Sequence, residues 1–353
     1  MRPESIELSF LSLFSFATFF IFLLTSKYSY LINNGVLLDK DFDKPQAFHT
    51  QAIARCGGMA SFFSLTILFL FYYLLFSEII YEYIFVGTSL FIIGFFDDLK
   101  INISPNKRLF LMIIFLTILI SFLPIKIQSI DLIFLNSLLD SKVFSTIFIL
   151  LCFLFIINGA NLIDGFNGLL SINLIIINCV LLYVNINGNH IEFSFLIAAQ
   201  IIILIVFLLF NFPNAKIFFG DSGSYLFGSL IALNTVITNN LNPNISSFFF
   251  CILLFYLFYE VFFSFIRKVY QNKSPVFPDR EHLHMLFFYK ISKKVDSLKG
   301  NYLTSVFVNI LFSILVLPSI FFAENGLICR LWFFSLTIIY TIIYFRLYRL
   351  IKN

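Results

Sequence analysis

The sequence predicts an all-α integral membrane protein, a polytopic bundle of about ten or eleven transmembrane helices with cytoplasmic catalytic loops. Two features of composition predict this fold: 60% of the 353 residues are hydrophobic and only 12% are charged. A soluble domain carries about 25% charged residues, so this chain has too little charge to cover a water-facing surface. The third feature is a series of apolar runs, each long enough for a membrane-spanning helix. We expect one membrane domain over residues 1–353.

Eleven apolar runs are predicted spans, because a helix needs about 20 apolar residues to cross the bilayer. In chain order they lie near 6–26, 57–76, 79–96, 109–125, 144–160, 168–186, 193–210, 222–238, 246–266, 301–322 and 327–345. The stretch 129–143 is too short and polar to span, and predicts an interfacial segment. No small-residue cleavage site follows the first run, which is therefore predicted to be a retained helix.

The basic residues predict the orientation. If the segment after the first span is cytoplasmic, 19 of the 23 Lys and Arg residues lie on that side. This positive-inside bias predicts an outer N-terminus and an inner C-terminus in the inner (plasma) membrane. The net charge of +4 is too small to predict nucleic acid as a partner.

Polar and charged clusters concentrate on the predicted cytoplasmic side. They fall in five segments: 28–56, 97–108, 158–167, 211–221 and 267–300. One-sided chemistry of this kind favours an enzyme at the membrane surface. A transporter of an anionic solute is the alternative from another class, but it predicts ionisable groups or broken helices near the midplane and two homologous halves. No such repeat is visible.

The segment GFFDDLK places Asp97 and Asp98 at the C-terminus of the third span. The helix dipole disfavours anions there and the two carboxylates repel each other, so capping does not explain them. A solvated helix end is the alternative to metal binding or deprotonation of an acidic group.

Two further motifs carry carboxylates. NGANLIDGFNGLL brings Asn158, Asn161 and Asp164 before two glycines, which predicts a ligand site or an ordinary polar turn. NFPNAKIFFGDSGS places Asp221 at the start of the eighth span. One interpretation is that Asp221 is the N-cap of this helix. The other is that a phosphate binds at the helix N-terminus and Asp221 holds a divalent cation beside it.

Two motifs carry histidines. SPVFPDREHLHML contains Arg280, His282 and His284, and the two-residue spacing predicts histidines on opposite sides of a helix. This set suits an anionic phosphate, with exposed inert histidines as the alternative. The segment KPQAFHTQAIARCGG supplies His49 and Arg55 as candidate site residues. The alternative is that it is a simple cytoplasmic loop.

One further carboxylate and the overall donor set bear on the chemistry. Glu260 lies inside the ninth span, where a carboxylate is expected to be paired or functional. Oxygen ligands favour Mg²⁺ or Mn²⁺ over zinc, so the motifs together predict phosphoryl transfer involving a lipid.

These motifs, in this order and over nearly the whole chain, resemble the polyprenyl-phosphate N-acetylhexosamine-1-phosphate transferase family. FHTQAIARCGG and PDREHLH look more like its GlcNAc-1-phosphate branch than the phospho-MurNAc-pentapeptide transferase of peptidoglycan, which is the alternative. The resemblance implies transfer of a sugar-1-phosphate from a UDP-N-acetylhexosamine to undecaprenyl phosphate, with release of UMP. The product would initiate a lipid-linked surface glycan such as O-antigen, capsule or teichoic acid.

The resemblance also implies residue roles. The implied catalytic residues are Asp97, Asp98, Asp164 and Asp221, with Asp98 and Asp221 as ligands of Mg²⁺ or Mn²⁺. The implied substrate-binding residues are His49, Arg55, Asn158, Asn161, Lys216, Arg280, His282 and His284. Two positions depart from the family pattern: Met285 replaces a third histidine, and Glu260 replaces an aspartate. The implied donor sugar is GlcNAc or a derivative such as QuiNAc or FucNAc, and a homodimer is a further expectation.

Overall fold

The computed structural model describes residues 3–40, 52–101, 103–123, 125–275 and 279–352, and within these ranges the chain is almost wholly helical. The α-helices are α1 (Pro3–Tyr28), α2 (Gly57–Phe76), α3 (Tyr81–Asp98), α4 (Pro105–Phe122), α5 (Ile133–Leu139), α6 (Lys142–Ile163), α7 (Leu169–Asn187), α8 (Ile191–Asn211), α9 (Gly220–Leu241), α10 (Ser247–Leu253), α11 (Phe255–Tyr270), α12 (Leu283–Ser292), α13 (Ser297–Val316) and α14 (Gly326–Lys352). Two 3-10 helices cover Ser29–Gly35 and Leu317–Phe322, and the strands β1 (Leu38–Asp39) and β2 (Ile53–Ala54) pair antiparallel.

The predicted all-α membrane fold is confirmed, since a helix lies within each of the eleven predicted spans. By length and composition, eight of the described helices can cross a membrane, and nine can if α10 and α11, which meet at 74°, form one broken span. Helices α3 and α9 fall outside this set because α3 carries Glu82, Asp97 and Asp98, and α9 carries many polar side chains. The stretch 129–143 contains only the seven-residue α5 before α6 begins.

Helix α9 lies at the centre of the bundle, packed against α2, α3, α6 and α7. Its polar side chains find partners inside the protein because lipid offers none. The amide of Asn234 donates to Asn178 Oδ1 at 3.1 Å and to Gln200 Oε1 at 2.8 Å. Its oxygen accepts the hydroxyl hydrogen of Tyr83 at 2.7 Å. This network joins α9 to α3, α7 and α8 within the apolar interior.

Glycines allow α2 and α3 to approach the N-terminus of α9 closely. A Cβ on Gly94 of α3 would lie 2.4 Å from the carbonyl oxygen of Asp221. A Cβ on Gly58 of α2 would lie 2.2 Å from Ser222 Oγ. The backbones meet directly at both contacts, so the first turn of α9 is held between two neighbouring helices.

The backbone before α2 strengthens the same junction. The N–H of Gly57 donates to Phe218 O at 3.0 Å, and the N–H of Gly58 donates to Phe219 O at 2.9 Å. Phe218 N–H in turn donates to Ala54 O at 2.8 Å. The start of α2 and the approach to α9 therefore form one unit, at the end of the bundle where α3 and α6 end and α4 begins.

Replacement of Gly94 by alanine tests this packing. We expect Gly94→Ala to lower the free energy of unfolding by about 1–3 kcal/mol, because the added methyl group overlaps the backbone of α9. The midpoint of thermal unfolding in detergent measures the effect. Gly165→Ala is the matched control, since a Cβ at Gly165 meets nothing within 4 Å. Equal midpoints for the two variants would contradict the close approach.

Candidate active site at the N-terminus of α9

Two of the predicted carboxylates converge on one arginine. Arg108, in the first turn of α4, lies 3.1 Å from Asp97 Oδ2 through its Nη1 atom, which also donates to Asp221 Oδ2. All three side chains are partly exposed, at 17% for Arg108, 29% for Asp97 and 20% for Asp221. The Nε atom of Arg108 is buried and has no acceptor among the described residues. The guanidinium thus joins the ends of three helices.

Asp98 has a different environment from its neighbour. Its side chain is 1% exposed. Its Oδ1 atom accepts the N–H of Asp221 at 3.0 Å, and its Oδ2 atom accepts the N–H of Ser222 at 3.0 Å as well as the Ser222 hydroxyl. The expectation that capping does not explain this pair was wrong for Asp98. It lies at the C-terminus of its own helix but caps the N-terminus of α9, where the dipole favours an anion.

Gly220 makes this cap possible. It has φ of +76°, and a Cβ there would lie 2.6 Å from both carboxylate oxygens of Asp98. A side chain would therefore push the carboxylate away from the amides of α9. Gly220 therefore allows the end of α3 to lie close to the N-terminus of α9.

The end of α6 supplies the next group of predicted residues. Asn161 donates through Nδ2 to Asp221 Oδ1 and to Ser224 Oγ, both at 3.0 Å. Asp164 is the C-cap residue of α6, and burial together with the charges of Asp221 and Asp98 raises the pKa of its carboxyl well above the usual range. Asn158 donates to Leu154 O at 2.7 Å within its own helix. Asn161 and Asp164 thus belong to the same cluster as Asp97, Asp98, Arg108 and Asp221, which we call the acidic centre. The amide of Asn158, in contrast, is used within α6.

Sequence reasoning missed the residues that shape the loop after α6. The side-chain oxygen of Asn211 accepts the N–H of Gly168 at 2.7 Å, and its amide donates to Ile217 O at 2.9 Å. The side-chain oxygen of Asn301 accepts the N–H of Asn167 at 2.8 Å. The Asn-Gly pair at 167–168 was a visible turn signal, but its partners lie far away in the sequence.

The predicted basic residues fall into two groups. Arg55 donates through Nε at 3.0 Å and Nη2 at 2.6 Å to Asp39 Oδ2, beside the β1–β2 pair, and its charge also acts on Asp98 and Asp221. Lys216 and Arg280 are exposed. His49 lies outside the described residues.

The two histidines of the PDREHLH motif are buried side by side. His282 and His284 are 2% and 0% exposed, and their rings lie 5.6 Å apart and within 4° of parallel. The prediction that they point to opposite sides of a helix was wrong. His282 is the N-cap of α12, with extended backbone at ψ 150°, so the helical period does not apply to it.

Glu260 organises this histidine cluster. Its Oε1 atom lies 3.1 Å from His282 Nδ1 and accepts the N–H of Leu283 at 3.1 Å. Its Oε2 atom accepts the hydroxyl hydrogen of Tyr340 at 2.6 Å. The expectation of a paired buried carboxylate is confirmed, because Glu260 joins α11, α12 and α14.

His284 adjoins both clusters. Its Nδ1 atom lies 3.2 Å from the Tyr256 hydroxyl, and its ring contacts Phe166, two residues after Asp164, in an edge-to-face arrangement at 5.6 Å. Its Nε2 atom is buried without a hydrogen-bond partner among the described residues. Burial lowers the pKa of His284 to about 3, so the ring is neutral at physiological pH.

The carboxylates suit a hard divalent cation. Within the part of the chain that the structure describes, no three His, Cys, Asp or Glu side chains form a metal-binding group. Mg²⁺ commonly uses only one or two protein carboxylates and completes its shell with water and substrate phosphate. Asp97 and Asp221 already converge on a cation, the guanidinium of Arg108. They therefore fit such a shell, and the metal role of Asp98 stays a prediction.

Acid should destabilise the protein through His284. The pKa of about 3 in the fold lies below the ordinary value of 6.5, so the unfolded chain binds more protons between these values. The free energy of unfolding should therefore fall as the pH decreases from 6.5 toward 3. Thermal unfolding across this range should show a smaller decrease for His284→Phe, with His190→Phe as the control. A decrease of the same size in all three proteins would contradict the assignment to His284.

Comparison with known proteins places this geometry in a family. The sequence profile described as glycosyl transferase family 4 matches residues 80–239, which contain Asp97, Asp98, Asp164 and Asp221. The undecaprenyl-phosphate alpha-N-acetylglucosaminyl 1-phosphate transferase of Thermotoga maritima is 26% identical over 272 residues, which are 77% of this chain and 80% of that protein.

Two further relatives extend the comparison. The phospho-N-acetylmuramoyl-pentapeptide-transferase of Dictyoglomus turgidum is 30% identical over 63% of this chain and 73% of its own length. A probable undecaprenyl-phosphate N-acetylglucosaminyl 1-phosphate transferase of Bacillus subtilis is 28% identical over 67% of this chain and 66% of its own length. The profile match covers the helices that build the acidic centre, and the similarity to these enzymes extends well beyond it. The chain belongs to glycosyl transferase family 4.

Proposed function

We propose that this protein transfers an N-acetylhexosamine-1-phosphate from a UDP-sugar to undecaprenyl phosphate. An oxygen of the lipid phosphate attacks the phosphorus that bears the sugar. The bond from that phosphorus to the oxygen bridging the two phosphates of UDP breaks, and UMP leaves. One observation carries the proposal: at one end of the membrane bundle, Arg108 contacts both Asp97 and Asp221, and Asn161 donates to Asp221. Family membership and the Thermotoga maritima relative support the same reaction.

The acidic centre supplies charge and position. The second pKa of a phosphate monoester is near 6, so the attacking oxygen is largely ionised at neutral pH without a strong base. Mg²⁺ held by Asp97 and Asp221 would neutralise charge on the diphosphate, and Mn²⁺ would serve the same purpose. Arg108, which is partly exposed, would place its positive charge beside the phosphate oxygens. Asn161 orients Asp221, and Asp98 holds the first turn of α9 in place.

Asp164 and the histidine segment complete the proposed site. Burial and the neighbouring carboxylates raise the pKa of Asp164, which favours the protonated form that would donate a hydrogen bond to an anionic substrate. Arg280 is exposed beside the buried cluster and is available to the diphosphate, as is Lys216. The contacts of His282 and His284 with Glu260 and Tyr256 support a role in holding this segment. Direct binding of phosphate by the histidines stays a prediction.

The setting of the reaction is also part of the proposal. The positive-inside pattern supports an active site that faces the cytoplasm from the inner (plasma) membrane. The donor would be UDP-GlcNAc or a derivative, and the product would start a surface glycan such as O-antigen, capsule or teichoic acid. Two copies of the chain would form a homodimer.

Transfer of phospho-MurNAc-pentapeptide is the second candidate. The Dictyoglomus turgidum relative, 30% identical, favours it. The wider coverage of this chain by the Thermotoga maritima relative, 77% against 63%, supports the first candidate.

Release of UMP by the purified protein distinguishes these candidates. We expect UMP only when undecaprenyl phosphate, Mg²⁺ and a UDP-N-acetylhexosamine are all present. UDP-MurNAc-pentapeptide as the sole active donor would establish the second candidate. Asp221→Asn should reduce the rate roughly a hundredfold or more, because it removes a charge that acts on the reacting phosphates. Asp140→Asn, an exposed carboxylate outside the site, is the matched control. Full activity of Asp221→Asn would remove Asp221 from the mechanism.

Removal of divalent metal should stop turnover. EDTA should abolish UMP release, and Mg²⁺ or Mn²⁺ in excess should restore it, because the carboxylates need a cation to accept an anionic diphosphate. The rate as a function of free metal concentration measures this. Turnover in metal-free buffer would contradict the assigned roles of Asp97 and Asp221.

Cysteine labelling tests the orientation. A membrane-impermeant maleimide added to intact cells should label Glu324→Cys but not Lys216→Cys, both at exposed positions. Lys216→Cys should become labelled after the membrane is permeabilised. The wild-type protein gives the background from its native cysteines. Labelling of Lys216→Cys alone in intact cells would reverse the topology.

A further inference from the structure

A large cavity with a mixed polar and apolar lining lies at the end of the bundle opposite the acidic centre. Its volume is about 1100 Å³, and it is formed by the α7–α8 turn, the α9–α10 turn and the segment before α14. Helix α9 connects the two ends and has 22 residues. At 1.5 Å per residue it is about 33 Å long. The cavity is therefore about one membrane thickness from Asp221 and takes no part in the proposed reaction.

The polar lining of the cavity is dominated by carboxamides. Four asparagines contribute to it, together with one histidine and one glutamate: Asn187, Asn242, Asn244, Asn325, His190 and Glu324. No Lys or Arg is among the residues that line it. A carboxamide offers both donors and an acceptor without a net charge. The lining therefore suits a neutral ligand with many hydroxyl or amide groups, and it lacks the cations that a phosphate would need.

Part of this polar surface is available and part is held in place. The exposed side chains of Asn187 and Asn244 form no hydrogen bond to another described residue. Asn242 is fixed by donation through Nδ2 to Thr238 O at 2.9 Å. A Cβ on Gly188 would lie 2.5 Å from Asn242 Oδ1, so the turn packs tightly against this side chain. The part of the cavity lining around Asn242 is thus held in place, and the carboxamides of Asn187 and Asn244 are available to a ligand.

Aromatic rings complete the cavity. Tyr183 and Phe321 are 53% and 92% exposed, and Phe249 is fully buried. A sugar ring has an apolar face of C–H groups that packs on aromatic rings, and an edge of hydroxyl groups that hydrogen-bonds to amides. Rings and carboxamides in one concave surface match both features.

We propose that this cavity binds a neutral carbohydrate, either a free oligosaccharide or the sugar headgroup of a lipid. A peptide is a poorer match, because an extended peptide that binds by strand addition needs an exposed strand edge. Among the described residues, the strands β1 and β2 lie at the other end, where Ala54 pairs with Ile217. The proposal does not depend on the reaction at Asp221.

Ligand-observed saturation-transfer NMR tests the proposal with the full-length protein in phosphatidylcholine nanodiscs. Chitotriose is the neutral probe, with glucose-6-phosphate as the anionic probe and tetra-alanine as the peptide probe. We expect signal transfer to chitotriose alone. The double variant Asn187→Leu/Asn244→Leu should weaken its binding about tenfold or more, since two hydrogen-bonding groups are lost. Phe321→Ala should weaken it through loss of the ring. Gln128→Leu, an exposed amide outside the cavity, should leave it unchanged.

A second arm distinguishes the two sources of sugar. Nanodiscs that contain digalactosyl diacylglycerol are compared with plain nanodiscs to which chitotriose has been added. Transfer to the glycolipid headgroup that Asn187→Leu/Asn244→Leu abolishes would assign the cavity to a lipid headgroup, and transfer to chitotriose alone would assign it to a free oligosaccharide. The proposal is overturned if neither sugar binds, if the double variant binds as the wild type does, or if tetra-alanine binds instead. Thermal midpoints of the variants confirm that each is folded.

Discussion

The acidic centre depends on one interaction: the buried carboxylate of Asp98 accepts the first N–H groups of α9. A buried charge is costly unless several donors surround it, and here two backbone amides, a hydroxyl and the positive end of a helix dipole do so. The contact determines how far α9 lies from α3 and how its first turn is rotated. That rotation aims Asp221 at Arg108 and Asn161. Of two adjacent aspartates, one therefore builds the site and the other faces the solvent-accessible side.

In the histidine cluster, too, a buried carboxylate accepts a backbone N–H at the start of a helix, and here the carboxylate is that of Glu260. Glu260 accepts the N–H of Leu283 at the start of α12, as Asp98 does for α9. In both cases a carboxylate on one helix defines where another helix begins. Phe166, beside Asp164, contacts His284, so the two capped helix ends lie against a common loop. This end of the protein is therefore built from helix termini whose positions are set by neighbouring helices.

Much of the fold was predictable, because most of the spans are long and apolar enough to identify from the chain alone. The grouping of Asp221 with Asp97 and Asn161 was also predictable, since their motifs lie at the start or the end of spans on one predicted side of the membrane. The cap made by Asp98 was not, because its partner amides lie more than 120 residues away. Arg108 was missed because membrane topology already explains a basic residue beside a span. The stacked histidines were misjudged since helical spacing was applied to an N-cap residue.

The glycine contacts of α2 and α3 with α9 bear on how this protein can be recombined with its relatives. Gly58 and Gly94 lie against the first turn of α9, which carries Asp221 and Ser222, so the three helices share one tightly packed contact surface. A chimaera that imports α9 alone would keep its active centre only if the imported first turn has the same width. Exchange of α2, α3 and α9 as a block would preserve the surface. The natural unit of exchange in this enzyme is therefore a set of helices distant in sequence, rather than a contiguous segment.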